Sequence, residues 1–597
     1  MNKKLFLIPA FAMGIAMASC SNEDPANNSG GNGNFETNYL SINLVQAPDM
    51  ASRAGGNQTN GQPGGDSGAT YEEGYASENA VTNVRFYFFY ENGDAAPINT
   101  NGVNYYNYTP SVGGSDMPNV EKQLEAIVVI NTKNVSGLPD KMVAILNPEK
   151  LSLGDGNLTL AQIQAKEQAK DFATSANASS PVFVMSNSVY SDGAAPNPNK
   201  IVATSISTDN YANSENAAKA NPINIYVERA VAKVRVTLGL NNEANNSAYD
   251  SSKGLIALKD KEGQDITING QQVYLKLDNW NVTADTDKGN LFKDINAGWG
   301  SSDLGSLLWN YAPYFRSYWA KNVDGATQNW HPYNDIATGG KKFAKSSTAQ
   351  DDSEIRIYVN ENAPQLSLNG NEENFTKVIM AGTLGILEGD TFKAVPIAKY
   401  ASVMMTGEEA LIDAMLGSLG SNMIYYQDAS SSTIKSLAKE DVKLMTALKA
   451  QKDGVTESEK TTGRYNVYLQ LKENLHRTWS KSNTPEGFDG AKFANDKAVN
   501  DHLISSLGRG QLYSGGQTYY YFPIKHLGEV GKIGEYGVVR NHIYDCKITT
   551  LVGLGTPVYD PTETIWPEKP VDDETYIAAQ INILSWRLVS QDVNLTW

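Results

Sequence analysis

In "NYLSINL", Leu40, Ile42 and Leu44 fall on one side of an extended strand, with Ser41 and Asn43 on the other. The same period of two places Val84, Phe86, Phe88 and Tyr90 on one face of "VTNVRFYFFY". Short apolar strands follow at "LEAIVVIN", "MVAILNP" and "PVFVMSNSV". Between them, Leu158, Ala161, Ala165, Ala169 and Phe172 recur every three or four residues, which predicts a helix over "LTLAQIQAKEQAKDFA". The run "NPINIYVERAVAKVRVTLGL" is strand-like throughout, but its apolar parity shifts. Ile223, Ile225 and Val227 are odd; Ala230, Ala232, Val234, Val236 and Leu238 are even. A bulge or a change of sheet near Glu228–Arg229 accounts for that shift.

Further strands are expected at Gln272–Trp280, Glu354–Val359, Thr376–Ala381, Tyr465–Leu471, Gln517–Phe522 and Arg540–Thr550. A helical piece is expected at "DVKLMTALKAQKD", and an aromatic loop at "LLWNYAPYFRSYWAKN". The pair "YLSINL … VTNVRFYFFY" is echoed by "VAKVRVTL … GQQVYLKLDNW", each a strand, a loop and a longer amphipathic strand. The second of these opens a second sandwich near Asn221. Strands separated repeatedly by turn residues predict a mainly β protein made of β-sandwiches.

Length supports that division, since 597 residues exceed what one core organises. A net charge of −17 argues against nucleic acid as a partner. The start has export chemistry: Lys3 and Lys4 precede "LFLIPAFAMGIAM", which is too short to span a bilayer and ends in "ASC" at Cys20. Small residues directly before a cysteine suit lipidation, so the expected layout begins with a signal peptide over 1–19 and a lipid on Cys20. An ordinary secretory signal with an incidental cysteine is the alternative. "SNEDPANNSGGNGN" follows as a tether whose acidic start resembles a surface-export signal of Bacteroidetes lipoproteins. The chain has two cysteines, and Cys546 lies in an apolar strand pattern, so no disulfide is expected.

No catalytic constellation emerges. "GGDSGA" sits in a glycine-rich linker far from the first histidine, His331. The five histidines lack metal-ligand spacing, and "DTDKG" lacks the downstream glutamate of a calcium loop. No enzyme activity, cofactor or metal is expected. Aromatic loops can stack on sugars, which keeps a surface glycan-binding lipoprotein as an alternative function.

Arg53 is the basic residue between Lys4 and Lys122 that lies outside a strand pattern; the other, Arg85, lies within one. An Arg-specific protease cutting between Arg53 and Ala54 would release the lipid together with the Leu40/Ile42/Leu44 strand. An apolar slot with unpaired strand edges would remain. The last residues offer a filler: Val589, Gln591, Val593, Leu595 and Trp597 alternate to the end of the chain. Burying the four apolar ones would contribute on the order of 10 kcal/mol gross. Equally, each segment reads as a terminal strand of its own domain.

These stretches resemble the major fimbrial subunits of Bacteroidales, the type V pilins, and most closely the major subunit of short fimbriae. The likeness rests on the lipoprotein start, "YLSINLVQAPDMASRAGG", "INIYVERAVAKVRV", "KLDNWNV", "YGVVRNHIYDCKI" and "INILSWRLVSQDVNL". Residues 281–350 and 407–460 depart from it. The resemblance implies two transthyretin-like Greek-key sandwiches, over 54–220 and 221–597, after a lipidated propeptide at 20–53. It also implies an outer-membrane lipoprotein precursor, cleaved after Arg53 by an Arg-specific surface protease. Head-to-tail polymerisation then fills each slot (Leu40, Ile42, Leu44) with the neighbour's donor strand (Val589, Val593, Leu595, Trp597). Expected partners are copies of itself and fimbrial anchor and tip subunits; the expected role is adhesion and biofilm formation. A tip or accessory adhesin of the same family is the alternative, since a tip needs a slot but no donor.

Overall fold

The computed structural model describes residues 36–46, 78, 80–110, 123–132, 137–169, 182–192, 199–240, 246–295, 308–311, 314–317, 319–344, 354–446, 464–526, 530–567 and 576–585. The protein is mainly β, with many sheets and a few short helices.

The first sheet has eight strands. They include β1 (Glu36–Gln46), β2 (Val84–Phe89), β3 (Tyr105–Tyr108), β4 (Gln123–Thr132), β5 (Lys141–Leu146), β6 (Met185–Asn187) and β7 (Ile223–Arg229). Their spatial order is β3-β2-β5-β6-β7-β1-β4, and Thr204–Ser205 pairs with β5. The core of this part is built from Leu40, Ile42, Phe86, Phe88, Val128, Ile130, Val143, Ile225 and their neighbours. The one-faced expectation for "VTNVRFYFFY" is too simple, because Tyr87 and Phe89 are buried as fully as Phe86 and Phe88. Tyr90 lies past the strand end.

The parity shift is a change of sheet. After β7 the chain bends at Ala230 and continues as β8 (Val231–Leu238) in a different, four-stranded sheet. The odd residues of β7 face the first core, whereas Ala232, Val234 and Val236 of β8 face a second one. In that sheet β8 lies between β10 (Arg356–Asn360) and β13 (His542–Val552), with β14 (Tyr576–Ser585) beyond β13. Opposite stands a seven-stranded sheet that includes β9 (Tyr274–Thr283), β11 (Lys377–Glu388) and β12 (Gln517–Pro523). Trp280, Met380, Tyr520, Tyr544 and Ile548 meet between the two sheets, which makes this part a sandwich.

The sequence echo has a structural counterpart. β1 runs parallel to β7 and antiparallel to β4; β8 runs parallel to β13 and antiparallel to β10. Each strand opens its region and lies between one parallel and one antiparallel neighbour.

Three local expectations are corrected. The helix at 158–173 is only Leu160–Gln164, opened by a capping box between Thr159 and Gln162. It buries Ile163 while Ala161 and Ala165 stay exposed. The chain then turns into a strand, Glu167–Ala169, that pairs with Lys288–Asn290; Phe172 lies outside the described residues. "DVKLMTALKAQKD" begins as a strand, Val442–Thr446, paired with Val467–Leu471. Its Val442, Leu444 and Thr446 are buried in alternation. The aromatic loop contains a hairpin, Leu308–Tyr311 with Tyr314–Ser317, and Trp319 is buried beside His526.

An additional core lies between β11 and β12. Leu411, Met415, Leu444, Leu469, Trp479, Val499 and Leu503 pack together, drawn from the helices Gly407–Gly417 and Asp496–Leu507 and from small sheets. It includes part of the stretch that departs from the resemblance. Among the described residues no helix is long and apolar enough to cross a membrane.

Candidate functional site

The candidate site is the place that β1 occupies. Backbone register sets Leu40 against Val128, and Ile42 against both Ala126 of β4 and Ile223 of β7. Leu44 stands against Leu124 and Ile225. Leu40 and Ile42 are completely buried, as are Val128, Ile130 and Ile225. The alternation seen in the sequence is therefore the reason this strand sits inside the sheet rather than on the surface.

Among the described residues, β4 joins the sheet through β1 alone. Removing β1 would expose the backbone edge of β7 and detach β4 with Ala126, Val128 and Ile130. At the β1 N-terminal half, the Tyr39 N–H donates to the Ala212 carbonyl (2.8 Å), and the Ala212 N–H donates back (3.1 Å). Next to Ala212, the Tyr211 hydroxyl donates to the Pro139 carbonyl at 2.6 Å. Burial first, and the Asp140 charge second, push the Tyr211 phenol well up, so it stays a donor.

The opposite face of β1 fits less well. Ser41 is 1% exposed, and its hydroxyl has no hydrogen-bond partner among the described residues. The Asn38 side-chain nitrogen is also unsatisfied there. Such groups disfavour burial, so β1 is held by apolar packing and backbone pairing rather than by its polar side chains. Ile42→Ala is expected to destabilise the full-length precursor by about 2–5 kcal/mol, read from the midpoint of urea unfolding.

Cys20, Arg53, Ala54, Val589, Val593, Leu595 and Trp597 lie outside the described residues. For Leu44 the structure gives backbone register only. Cys546 is buried and unpaired. The histidines that sequence spacing left apart partly converge: His526 and His542 have ring centroids 5.5 Å apart. His526 bonds the Tyr544 hydroxyl at 2.9 Å, and His542 bonds the Arg540 carbonyl at 2.8 Å. Among the described residues, no group of His, Cys, Asp or Glu is placed to hold a metal.

What the sequence missed is a buried polar junction between the two main cores. Glu78, fully buried, faces Lys233 of β8 at 2.9 Å and accepts a hydrogen bond from the Tyr358 hydroxyl of β10. Arg229, the last residue of β7, donates to the Glu78 carbonyl at 3.2 Å. Nearby, Arg540 binds Glu361 at 3.1 Å and the Leu291 carbonyl at 2.9 Å. The charges inside "VERAVAKVRV" were the one visible signal, since Lys and Arg seldom lie in buried strands unpaired.

Residues 511–592 match the family model "Major fimbrial subunit protein type IV, Fimbrillin, C-terminal". That segment contains β12, β13 and β14. No curated protein matches the chain in sequence. Three solved structures of similar proteins are a candidate cell-adhesion protein of Bacteroides eggerthii, a fimbrilin of Porphyromonas gingivalis and the tip fimbrial protein Mfa3 of P. gingivalis. The first has 10% identity over 93% of this chain and 98% of that one, with a TM-score of 0.36. The fimbrilin has 10% identity over 92% and 99%, with a TM-score of 0.33. The tip protein, truncated at its C-terminus, has 10% identity over 92% and 100%, with a TM-score of 0.30.

Proposed function

We propose that this protein is a structural subunit of cell-surface fimbriae, built by exchange of β1. The match of residues 511–592 to the fimbrillin C-terminal family supports the fimbrial reading. The observation that carries the exchange is the interior position of β1, whose completely buried Leu40 and Ile42 are joined to the rest of the chain by the Gly/Asn-rich segment containing Arg53. On this reading the precursor is exported with a lipid on Cys20 and held at the outer membrane. An Arg-specific protease cuts between Arg53 and Ala54. The freed slot takes the terminal strand of another copy, with Val589, Val593, Leu595 and Trp597 as the alternating residues. A contact of this kind is heterologous and does not close, so it propagates into a filament. The alternation of Val589, Val593, Leu595 and Trp597 favours a shaft subunit over a tip subunit, and adhesion and biofilm formation are the roles such a fibre would serve. The change of sheet at Ala230 supports a junction of the two main domains close to the boundary expected near Asn221.

Treating purified precursor with a trypsin-like protease should give a folded product beginning at Ala54, followed by polymers on electron microscopy. Arg53→Gln should give neither. Polymers from the uncut Arg53→Gln chain would overturn the processing step. Ile42→Ala offers an internal check: it should weaken the precursor but leave assembled material unchanged, because β1 is then gone.

A further inference from the structure

We infer the register in which the neighbour's last residues enter the slot: Val593 at the position of Leu40, Leu595 at that of Ile42 and Trp597 at that of Leu44. The inference rests on the exchange reading above and adds its geometry. The incoming strand is placed in the direction of β1, antiparallel to β4 and parallel to β7.

Side chains alternate along a strand, so a slip by one residue would turn every apolar group to the wrong face. Only even slips need comparison. The obvious alignment sets Val593-Asn594-Leu595 on Ile42-Asn43-Leu44, which share the central Asn-Leu. That register would place Gln591 at Leu40, a completely buried position, and Asp592 at Ser41, which is 1% exposed. An unpaired buried carboxylate and amide oppose it. A slip in the other direction sets Val589 on Leu40 but drives Gln591 into the position of Ile42, also completely buried. The inferred register puts apolar residues at all three positions. Gln591 and Asp592 then fall at Asn38 and Tyr39, which are half-buried, Thr596 falls at Asn43, and the buried position of Ser41 takes the uncharged Asn594 in place of Asp592.

In this register Val589 falls at Glu36, the end of the paired strand. Residues 586–588 then connect the end of β14 to the occupied slot of the next subunit. The four steps from Ser585 to Val589 span at most about 14 Å, which bounds the separation of those two points in a filament whose β14 stays in place.

Cysteine pairs between subunits test this, because directly opposed residues in antiparallel strands lie within disulfide reach. The natural Cys546 is buried, and Cys20 leaves with the propeptide on cleavage. Precursors carrying Val593→Cys with Val128→Cys, or Leu595→Cys with Ala126→Cys, are cut with a trypsin-like protease, polymerised and oxidised. Both pairs should give ladders of linked subunits. Crosslinking of Val593→Cys to Ala126→Cys instead would establish the obvious alignment. Crosslinking of Val593→Cys to Leu124→Cys would mean the opposite slip or a reversed strand. Either result, with polymers present, overturns the register and leaves the exchange standing. Absence of polymers from cleaved wild-type precursor overturns the exchange itself. Independently, Leu595→Asp should abolish assembly and Val589→Asp should reduce it little; the reverse order would sink the register.

Discussion

A chain that begins at Ala54 and ends at Ser585, with neither β1 nor the terminal segment, is expected to lose its first sheet while keeping its other cores. Burial of Leu40 and Ile42 contributes roughly 1.5–3 kcal/mol each. The backbone pairing of β1 with both β4 and β7 goes with them. The whole stability of a domain is about 5–15 kcal/mol, so the loss is comparable to the total. The release of β4 adds to it, because that strand has no other neighbour in the described sheet. Amide exchange should become fast in Gln123–Thr132 and Ile223–Arg229 and stay slow in the helix Asp496–Leu507, which belongs to a separate core. Adding a synthetic peptide of residues 586–597 should restore slow exchange in both strands; a scrambled peptide should not. Unchanged protection in the doubly truncated chain would show that β1 is dispensable and remove the basis for exchange.

The second large effect is expected at the junction. Glu78→Ala leaves Lys233, which is 1% exposed, buried without its carboxylate, and removing one member of a buried pair costs about 3–5 kcal/mol. Lys233→Met should also destabilise, but by less, because the Tyr358 hydroxyl and Arg229 still face Glu78. The double variant Glu78→Gln with Lys233→Met should recover much of the loss, since neither member of the pair is left as a lone charge. Thermal melts of the three variants against the parent check this; additive losses would mean that the two groups are not coupled. A pH dependence follows. Burial alone would raise the Glu78 carboxyl, but Lys233, the Tyr358 hydroxyl and Arg229 outweigh it and hold the group below its ordinary value near 4.5. The folded value therefore lies below the unfolded one. The stabilisation is complete above the ordinary value and is lost as pH falls through the folded value. Between these limits the parent should lose stability on acidification, and the Glu78→Gln, Lys233→Met variant should lose less.

Much of the β architecture was legible in the chain because strands with one buried face must alternate. Leu40 and Ile42 announced a core strand, and the parity shift at Glu228–Arg229 announced the move from one sheet to the next. Helices were less legible. Leu158, Ala161 and Ala165 are spaced for a helix, but alanine packs weakly, and the partner strand Lys288–Asn290 takes over just beyond Gln164. In "DVKLMTALKA" the helical and strand periods compete over a few residues, and pairing with Val467–Leu471 decided for the strand.

The sequence by itself determined that the chain is built mainly of strands, that β1 carries a core face, and that residues 589–597 alternate with the same period of two. All of these depend on residues close together along the chain. The tertiary structure decided that β1 lies between β7 and β4, that residues between β11 and β12 gather a core of their own, and that Glu78 meets Lys233 and Tyr358 in a buried junction. Those facts depend on which distant strands pair and which charges are removed from water together. Local periodicity holds no record of either, because the energies that select them come from surfaces formed only once the chain has folded.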